Sequence, residues 1–342
     1  FVYACKYWIL HGVFGQIEAD VMHHADVYLL IVTASIPFIA LYNGGAAVFR
    51  AMGNSEVSMR VSLLMNAINV SGNAILIYGF HCGTEGVAIP TLVSRFVAAF
   101  IIIKLLLKDK WSLHLERTFR FNPDWSMIRK ILSVGIPNGL ENSMFQLGKV
   151  LVLSLVSTFG TYAIAANAVS NVITLFSILP GQAICLAVTT VIARCVGAGD
   201  YEQAKYYNKK LILLTHIGMA ITIFIVFITL PFILKVYNLS EAASEATRHI
   251  IWFHGFCAIL IWAESFTLPA TFRACGDAKA CMIISTVSMW IFRVGASYIL
   301  GKNLGLGVFG VWVAMIIDWA FRSLLFGIRY FSGKWKKHAL VS

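Results

Sequence analysis

The sequence predicts an all-α integral membrane protein, on the basis of its composition, its hydropathy and the form of its apolar runs. Of the 342 residues, 59% are hydrophobic and only 13% are charged, and the mean hydropathy is +0.78. Soluble domains carry about 25% charged residues, so this chain lacks the polar residues to cover a surface in water. This excludes an ordinary soluble enzyme and a disordered chain. The runs are long and lack the period-2 alternation of barrel strands, which favours helices.

Nine apolar runs are long enough to cross a bilayer, for which a helix needs about 20 residues. In chain order they are residues 26–49, 59–80, 86–107, 131–158, 163–192, 211–234, 249–271, 281–300 and 306–328. The segments between them are short, except for the polar connection 108–130. Residues 1–14 are typical of the second half of another span, so we expect the chain to begin inside a helix.

The basic residues predict the orientation of these spans. Nineteen of the 27 Lys and Arg residues fall in alternate connections on one side, and Arg273 is one of them. The opposite side holds only Lys235, Arg248 and Lys302. Because cytoplasmic loops are enriched in Lys and Arg, we expect the 108–130 connection and the C-terminus to be cytoplasmic in the inner membrane of a bacterial or archaeal cell. This distribution explains the net charge of +11 without a nucleic-acid partner.

An internal repeat relates the two parts of the chain. A shift of 223 residues aligns 49–72 with 272–295, with eight identities in 24 positions, more than chance gives between apolar segments. Both copies contain a Phe-Arg-Ala turn on the predicted cytoplasmic side, and a parallel repeat of this kind is typical of transporters. The second half begins near Asp124, so we expect roughly a hundred residues, or two and a half helices, to precede Phe1 in a twelve-helix parent.

Three motifs, taken in order, resemble the MATE (multidrug and toxic compound extrusion) transporters. They are Gly-Ala-Gly-Asp at 197–200, the two Phe-Arg-Ala turns, and Ser-Gly-Lys-Trp at 332–335. The resemblance implies two six-helix lobes related by a pseudo-two-fold axis. It assigns 1–107 to the rest of the N-lobe, from the end of helix three to helix six, 108–128 to a cytoplasmic connecting segment, and 129–342 to the C-lobe of helices seven to twelve.

The resemblance also implies a function. MATE transporters are secondary exporters of amphipathic, mostly cationic, drugs or metabolites, which they exchange for Na⁺ or H⁺ by alternating access, with no cofactor besides the coupling ion. We therefore expect a small-molecule substrate and the lipid bilayer as partners, and no obligate protein partner. A flippase for lipid-linked oligosaccharides, of the same superfold, is the alternative. An intramembrane enzyme is not expected, because HExxH, GxSxG and paired catalytic acids are missing from the spans.

For the N-lobe, the resemblance implies a coupling-cation site. Some members hold the cation with an Asp on helix one, an Asn and an Asp four residues apart on helix five, and a Thr on helix six. The last three positions fall on Asn69, Asn73 and Thr91. Asn73 replaces the acid with an amide, which offers an oxygen ligand but no charge.

The C-half spans carry six Asp, Glu, Lys or Arg residues. An ionisable side chain in the middle of a bilayer costs about 2.5–3.5 kcal/mol on insertion scales, so each requires a partner or a role. They are the acids Glu141, Glu264 and Asp318 and the bases Lys149, Arg293 and Arg322. We expect whatever titrates in this chain to be among them.

Glu141 is the residue that we favour for cation or proton coupling, and it lies near the place of a helix-seven glutamate in some MATE members. Asn138, Asn142 and Gln146 surround it with amides on the same helix. Lys149 follows about 12 Å along the axis, too far for a local ion pair. A buried structural hydrogen bond is the alternative role for this carboxyl.

Two further acids are assigned to coupling or pairing. Asp318 and Arg322 are four residues apart, which predicts an intrahelical ion pair, either permanent or opened by substrate. Glu264 takes part in coupling or pairs with Arg293, and the sequence leaves both open.

The substrate cavity is expected to include Asn142, Gln146, Arg293 and Trp290. The first three offer polar contacts within spans. The ring of Trp290 falls in the middle of a span, where cation–π contact with a substrate competes with the membrane anchoring typical of tryptophans near span ends.

Overall fold

The computed structural model describes Tyr3, Lys6 and residues 19–116 and 123–338. The regular secondary structure in these residues is helical, and no strand occurs in them. The half-span expected at 1–14 lies outside the described residues, apart from Tyr3 and Lys6.

The chain divides into two compact units. They are Phe1–Asn122 and Pro123–Ser342, and the division falls inside the connecting segment predicted at 108–128. The described part of the first unit contains three long helices. They are α1 (Ala19–Ala51), α2 (Ser55–Gly79, with a π-helical last turn) and α3 (Glu85–Leu106).

Helix α3 lies against both other helices of the first unit, and small residues permit the close approach. A Cβ atom added at Gly72 of α2 would lie 2.8 Å from Cβ of Pro90 in α3, so only glycine fits there. Phe49 of α1 and Ile102 of α3 are both 0% exposed and form the centre of the apolar core. The unit is thus held together by dispersion and by exclusion of its core from solvent.

The described part of the second unit contains six long helices followed by a short 3₁₀ turn. The helices are α4 (Trp125–Ser157), α5 (Thr161–Gly197), α6 (Tyr201–Tyr237), α7 (Glu241–Ala274), α8 (Ala278–Asn303) and α9 (Gly307–Phe331), and the turn is Lys334–His338. Polar residues cap three of the helices at their N-termini. Asp124, Asp200 and Ser240 accept hydrogen bonds from backbone N–H groups two or three residues further on.

These nine helices of the described residues coincide with the nine predicted spans, which confirms the all-α membrane fold class. Eight of them contain a stretch apolar enough to cross a membrane. The exception is α4, whose middle carries Asn138, Glu141 and Lys149. Because ionisable residues within membrane spans indicate functional sites, these residues make α4 a candidate functional helix.

Two helices of the second unit contain π-helical turns that the sequence does not predict. In α7 the turn is Ala263–Thr267, and in α8 there are two, Met289–Gly295 and Tyr298–Asn303. A π turn fits one more residue than a regular turn and changes the direction of the side chains that follow. Glu264 and Arg293 both lie in such turns.

The repeat found in the sequence is also a repeat of local structure. Gly53 and Gly276 end equivalent helices with φ of 83° and 86°, a left-handed conformation that favours glycine. In each turn the amide after the glycine donates to a carbonyl oxygen five residues earlier, that of Phe49 or Phe272, at 2.9 Å. Both phenylalanines are fully buried.

Candidate functional site

Glu141 is buried inside the second unit and forms an ion pair with Arg273. The Nη2 atom of Arg273 lies 2.8 Å from both carboxylate oxygens of Glu141. The acid comes from the middle of α4 and is 8% exposed, and the base comes from the last turn of α7. The sequence assigns Arg273 to a connection between spans. The structure corrects this, because α7 continues to Ala274 and its arginine binds a buried acid.

A cavity of about 630 Å³ adjoins this ion pair within the second unit. Besides the pair, its polar lining includes Asn138, Asn142, Gln182 and Arg322, and its aromatic lining includes Trp262 and Phe266. A mostly apolar pocket with a few convergent polar groups is the usual form of a small-molecule site. A buried carboxylate that is paired with an arginine therefore lines a space large enough for a small molecule.

The ion pair predicted between Asp318 and Arg322 is not formed. Oδ1 of Asp318 accepts a hydrogen bond from the hydroxyl of Ser288, and Nη2 of Arg322 donates to the carbonyl oxygen of Ser265 at 3.3 Å. The guanidinium of Arg322 also lies over the ring of Phe266, 4.6 Å from its centroid. Packing of α9 against α7 and α8 offers each side chain a partner on another helix, which outcompetes the contact along their own helix.

Glu264 binds His216 rather than Arg293. Nε2 of His216 lies 3.0 Å from Oε1 of Glu264, and its Nδ1 lies 2.6 Å from the carbonyl oxygen of Ile259. Because a carbonyl only accepts, Nδ1 carries a hydrogen. The second contact then requires either a doubly protonated imidazole or a protonated carboxyl. The pairing predicted between Glu264 and Arg293 is therefore not formed, and the partner of this acid is a histidine of α6.

The residues expected around a substrate are divided between different places. Asn142 lines the cavity beside Glu141, whereas Arg293 lines a second cavity of the same unit. Among the residues that line these two cavities, Gln146 and Trp290 do not occur. Trp290 is 38% exposed and lines neither of the two cavities.

In the first unit, the three residues implied by the resemblance lie together. Nδ2 of Asn69 donates to Oγ1 of Thr91 at 3.1 Å, and Nδ2 of Asn73 donates to Oδ1 of Asn69 at 3.4 Å. The close contact of Gly72 with Pro90 brings α2 and α3 near enough for this. Oδ1 of Asn73 is buried without a hydrogen-bond partner in the described structure, so it is free to serve as a ligand oxygen.

Sequence reasoning missed two partners, Arg273 and His216. The predicted span ends at residue 271, two residues before Arg273. Nothing in the sequence indicates that the helix continues past this arginine to Ala274. His216 is a single histidine in an apolar helix, a pattern that does not indicate its partner. Among the described residues, no group of three His, Cys, Asp or Glu side chains is placed so that it could hold a metal ion.

Comparison with known proteins places these observations in a family. The family model described as MatE matches residues 1–75 and 137–299. The chain is 26% identical over 339 residues to a probable multidrug resistance protein NorM of Thermotoga maritima, covering 98% of this chain and 72% of the relative. It is 27% identical over 323 residues to an uncharacterized transporter, YisQ, of Bacillus subtilis, covering 92% and 70%.

Solved structures agree on the fold. A multidrug resistance MATE family transporter of the MOP superfamily in an outward-facing conformation has a TM-score of 0.86 at 20% identity, covering 94% of this chain and 72% of that one. A MATE protein in a bent conformation has a TM-score of 0.85, also at 20% identity, covering 98% and 75%. Since the family model matches most of the sequence and the fold agrees, the chain belongs to the MATE family of multi-pass membrane transporters.

Proposed function

We propose that the chain belongs to a secondary exporter that exchanges amphipathic drugs or metabolites for H⁺ or Na⁺ by alternating access. The names of its NorM relatives support drug efflux. The observation that carries the coupling assignment is the pair of Glu141 and Arg273 at the wall of a cavity. This chain's own residues provide an acid whose charge can change beside a space for substrate.

The ion pair suggests how coupling works. A proton on Glu141 removes the negative charge that holds Arg273, and a Na⁺ ion competes with the guanidinium for the same two oxygens. A cationic end of a substrate competes for them as well. Ion and substrate therefore exclude each other at one carboxylate, and each occupant favours the conformations that bind it better.

Exchange in proteoliposomes containing the whole protein tests this proposal. Efflux of ethidium and norfloxacin is followed under a proton gradient alone and under a Na⁺ gradient alone. Replacing Glu141→Gln should abolish drug-driven ion exchange. Glu241→Gln, at the exposed start of α7, is the matched control and should exchange like the wild type. Intact exchange in Glu141→Gln would show that Glu141 does not couple.

We also propose that the protein is oriented with its C-terminus and the 108–130 connection in the cytoplasm of a bacterial or archaeal cell. The support is the bias of nineteen Lys and Arg residues against three in the connections. Arg273 is one of the nineteen, and its place in the last turn of α7 leaves it near the same end of the helix. Without Arg273 the bias is still eighteen Lys and Arg residues against three, so the predicted orientation does not change.

Transport of a lipid-linked oligosaccharide is the second candidate, and one observation favours it. The three acids of the C-half spans balance its three bases in the sequence, which argues against a cationic cavity. In the structure Glu264 binds His216 and Glu141 binds Arg273. Asp318 acts on both Arg293 and Arg322, and Glu141 also acts on Arg322, whereas Lys149 has no ion-pair partner among the described residues. This excess of positive charge suits the phosphates of such a lipid.

A further inference from the structure

The second cavity of the C-terminal unit is built differently from the one beside Glu141. It has a volume of about 240 Å³. Its charged lining residues are Lys149 of α4 and Arg293 of α8, and its amides are Asn167 and Asn171 of α5. No Asp or Glu occurs among its lining residues in the described structure. The polar groups in this cavity are therefore cations and hydrogen-bonding amides.

Close packing of α4 on α8 creates this arrangement. Gly148 contacts Met289, and a Cβ atom at this position would collide with the methionine side chain. The contact brings both cations to the ring of Phe145, with Nζ of Lys149 4.9 Å and Cζ of Arg293 5.1 Å from its centroid. Two like charges therefore share one aromatic side chain, and Arg293 acts on Lys149 by repulsion.

The nearby acid does not neutralise both cations. Asp318 is the carboxylate that acts on Arg293, and it acts on Arg322 as well. No nitrogen of Arg293 lies within ion-pair distance of it in the described structure. Arg293 is half-buried and Lys149 is exposed. Because an unpaired charge within a membrane-spanning segment is costly, a negatively charged group that bound both cations would be favoured here.

The amides are positioned to complete the site. Oδ1 of Asn167 accepts a hydrogen bond from Nε1 of Trp312 at 3.2 Å, which fixes the direction of that side chain. Its Nδ2 group then remains on the opposite side of the amide. Asn171 is exposed, and its Nδ2 donates one hydrogen bond to the carbonyl oxygen of Asn167 at 2.7 Å, which leaves the second hydrogen of this amide for the cavity.

We propose that this cavity binds an oxyanion group, a carboxylate or a phosphate, of the transported compound. Lys149 and Arg293 supply the charge, and Asn167 and Trp312 provide an ordered wall. This inference rests on the proposed function, because it names a class of substrate for the proposed exporter. An amphipathic compound with a carboxylate as well as an amine would find an anionic site at Glu141 and a cationic site here.

Binding to the purified whole protein in detergent tests the proposal without depending on transport. The probes are norfloxacin, which carries a carboxylate and an amine, its ethyl ester, which lacks the free carboxylate, and ethidium, a cation alone. Replacing Lys149→Gln together with Arg293→Gln should weaken norfloxacin binding about tenfold or more, since a charged hydrogen bond contributes roughly this factor. Binding of the ester and of ethidium should change less than twofold.

Matched variants separate charge from folding. Lys302→Gln removes an exposed charge at the end of α8 and should bind norfloxacin like the wild type. Lys149→Arg keeps the charge and should retain the affinity for norfloxacin, whereas Lys149→Gln should lose it. This comparison does not require the Arg293→Gln variant, so it remains informative if that variant fails to fold. Equal loss for norfloxacin and its ester, or no loss for either, would overturn the oxyanion site.

Competition distinguishes the two sources of an oxyanion. A polyisoprenyl diphosphate added to the same micelles, and benzoate added in solution, are each tested for displacement of norfloxacin. Displacement by either probe supports the site and shows which source it prefers, and failure of both overturns it. Coupled exchange that fails while norfloxacin still depends on Lys149 and Arg293 would refute the proposed function alone.

Discussion

Arg273 and Glu141 are 132 residues apart in the sequence, yet one guanidinium nitrogen lies 2.8 Å from both carboxylate oxygens. The contact joins α4 to the end of α7, next to the turn at Gly276 that repeats the turn at Gly53. The pair therefore links a titratable acid to the part of the helix that is repeated in both units. A change of charge at Glu141 would therefore remove a contact that joins α4 to the end of α7.

Removing either member of this pair should destabilise the second unit, but the two variants should respond differently to pH. Arg273→Met leaves a buried carboxylate without a partner, a change that costs about 3–5 kcal/mol in buried pairs. Acidic pH should restore part of the loss, because a protonated carboxyl is neutral. Glu141→Gln leaves an arginine that stays charged, so acid should not restore it. Thermal unfolding in detergent at pH 7 and pH 5 measures both, and equal pH responses would contradict the pairing.

Two glycines at helix contacts should differ in their tolerance of alanine. A Cβ atom at Gly181 would lie 2.7 Å from Cη2 of the buried Trp262 ring, whereas the one at Gly148 would meet the flexible end of Met289. Gly181→Ala should cost about 1–3 kcal/mol of stability through overpacking, and Gly148→Ala should cost less. Thermal unfolding midpoints of the two variants, measured side by side, give the order. The reverse order would contradict the packing described for α5 and α7.

Restoring an acid in the first unit should strengthen Na⁺ binding there. Asn73→Asp places a carboxylate where the amide oxygen has no hydrogen-bond partner, beside Asn69 and Thr91. Charge on an oxygen ligand raises affinity for hard cations. Binding of radioactive Na⁺ to the whole protein should increase at least several-fold, while Asn66→Asp, on an exposed part of α2, should leave it unchanged. Equal binding by both variants would show that the cluster is not a cation site.

Cysteine labelling tests the orientation. Lys302→Cys and Lys334→Cys are made one at a time after the seven native cysteines have been replaced by serine. Both lysines are exposed, one in the last turn of α8 and the other shortly after the end of α9. With intact cells, a maleimide that cannot cross membranes should label position 302 and not position 334. Labelling of 334 alone would invert the proposed orientation.

Local sequence was sufficient for the helices. The apolar runs gave nine helices in the right places, and the repeated glycine turns were recognisable from six-residue segments. The prediction weakened where the helical repeat changes, since nothing in 263–267 or 289–295 indicates a π turn. Helix formation follows from backbone hydrogen bonding that every residue in lipid must satisfy within its own segment. The choice between an α turn and a π turn depends on what each helix packs against.

The sequence by itself determined that this is a helical membrane protein with an internal repeat, and that its ionisable residues are concentrated in the C-half spans. Only the tertiary structure decided which charges are paired. Glu264 contacts a histidine, Glu141 pairs with an arginine that the sequence assigned to a loop, and Asp318 accepts a hydrogen bond from a serine. Hydrophobicity and helix periodicity are properties of neighbouring residues, whereas an ion pair depends on which helices meet and at what height. In an apolar interior, that meeting determines which charges are paired and which are not.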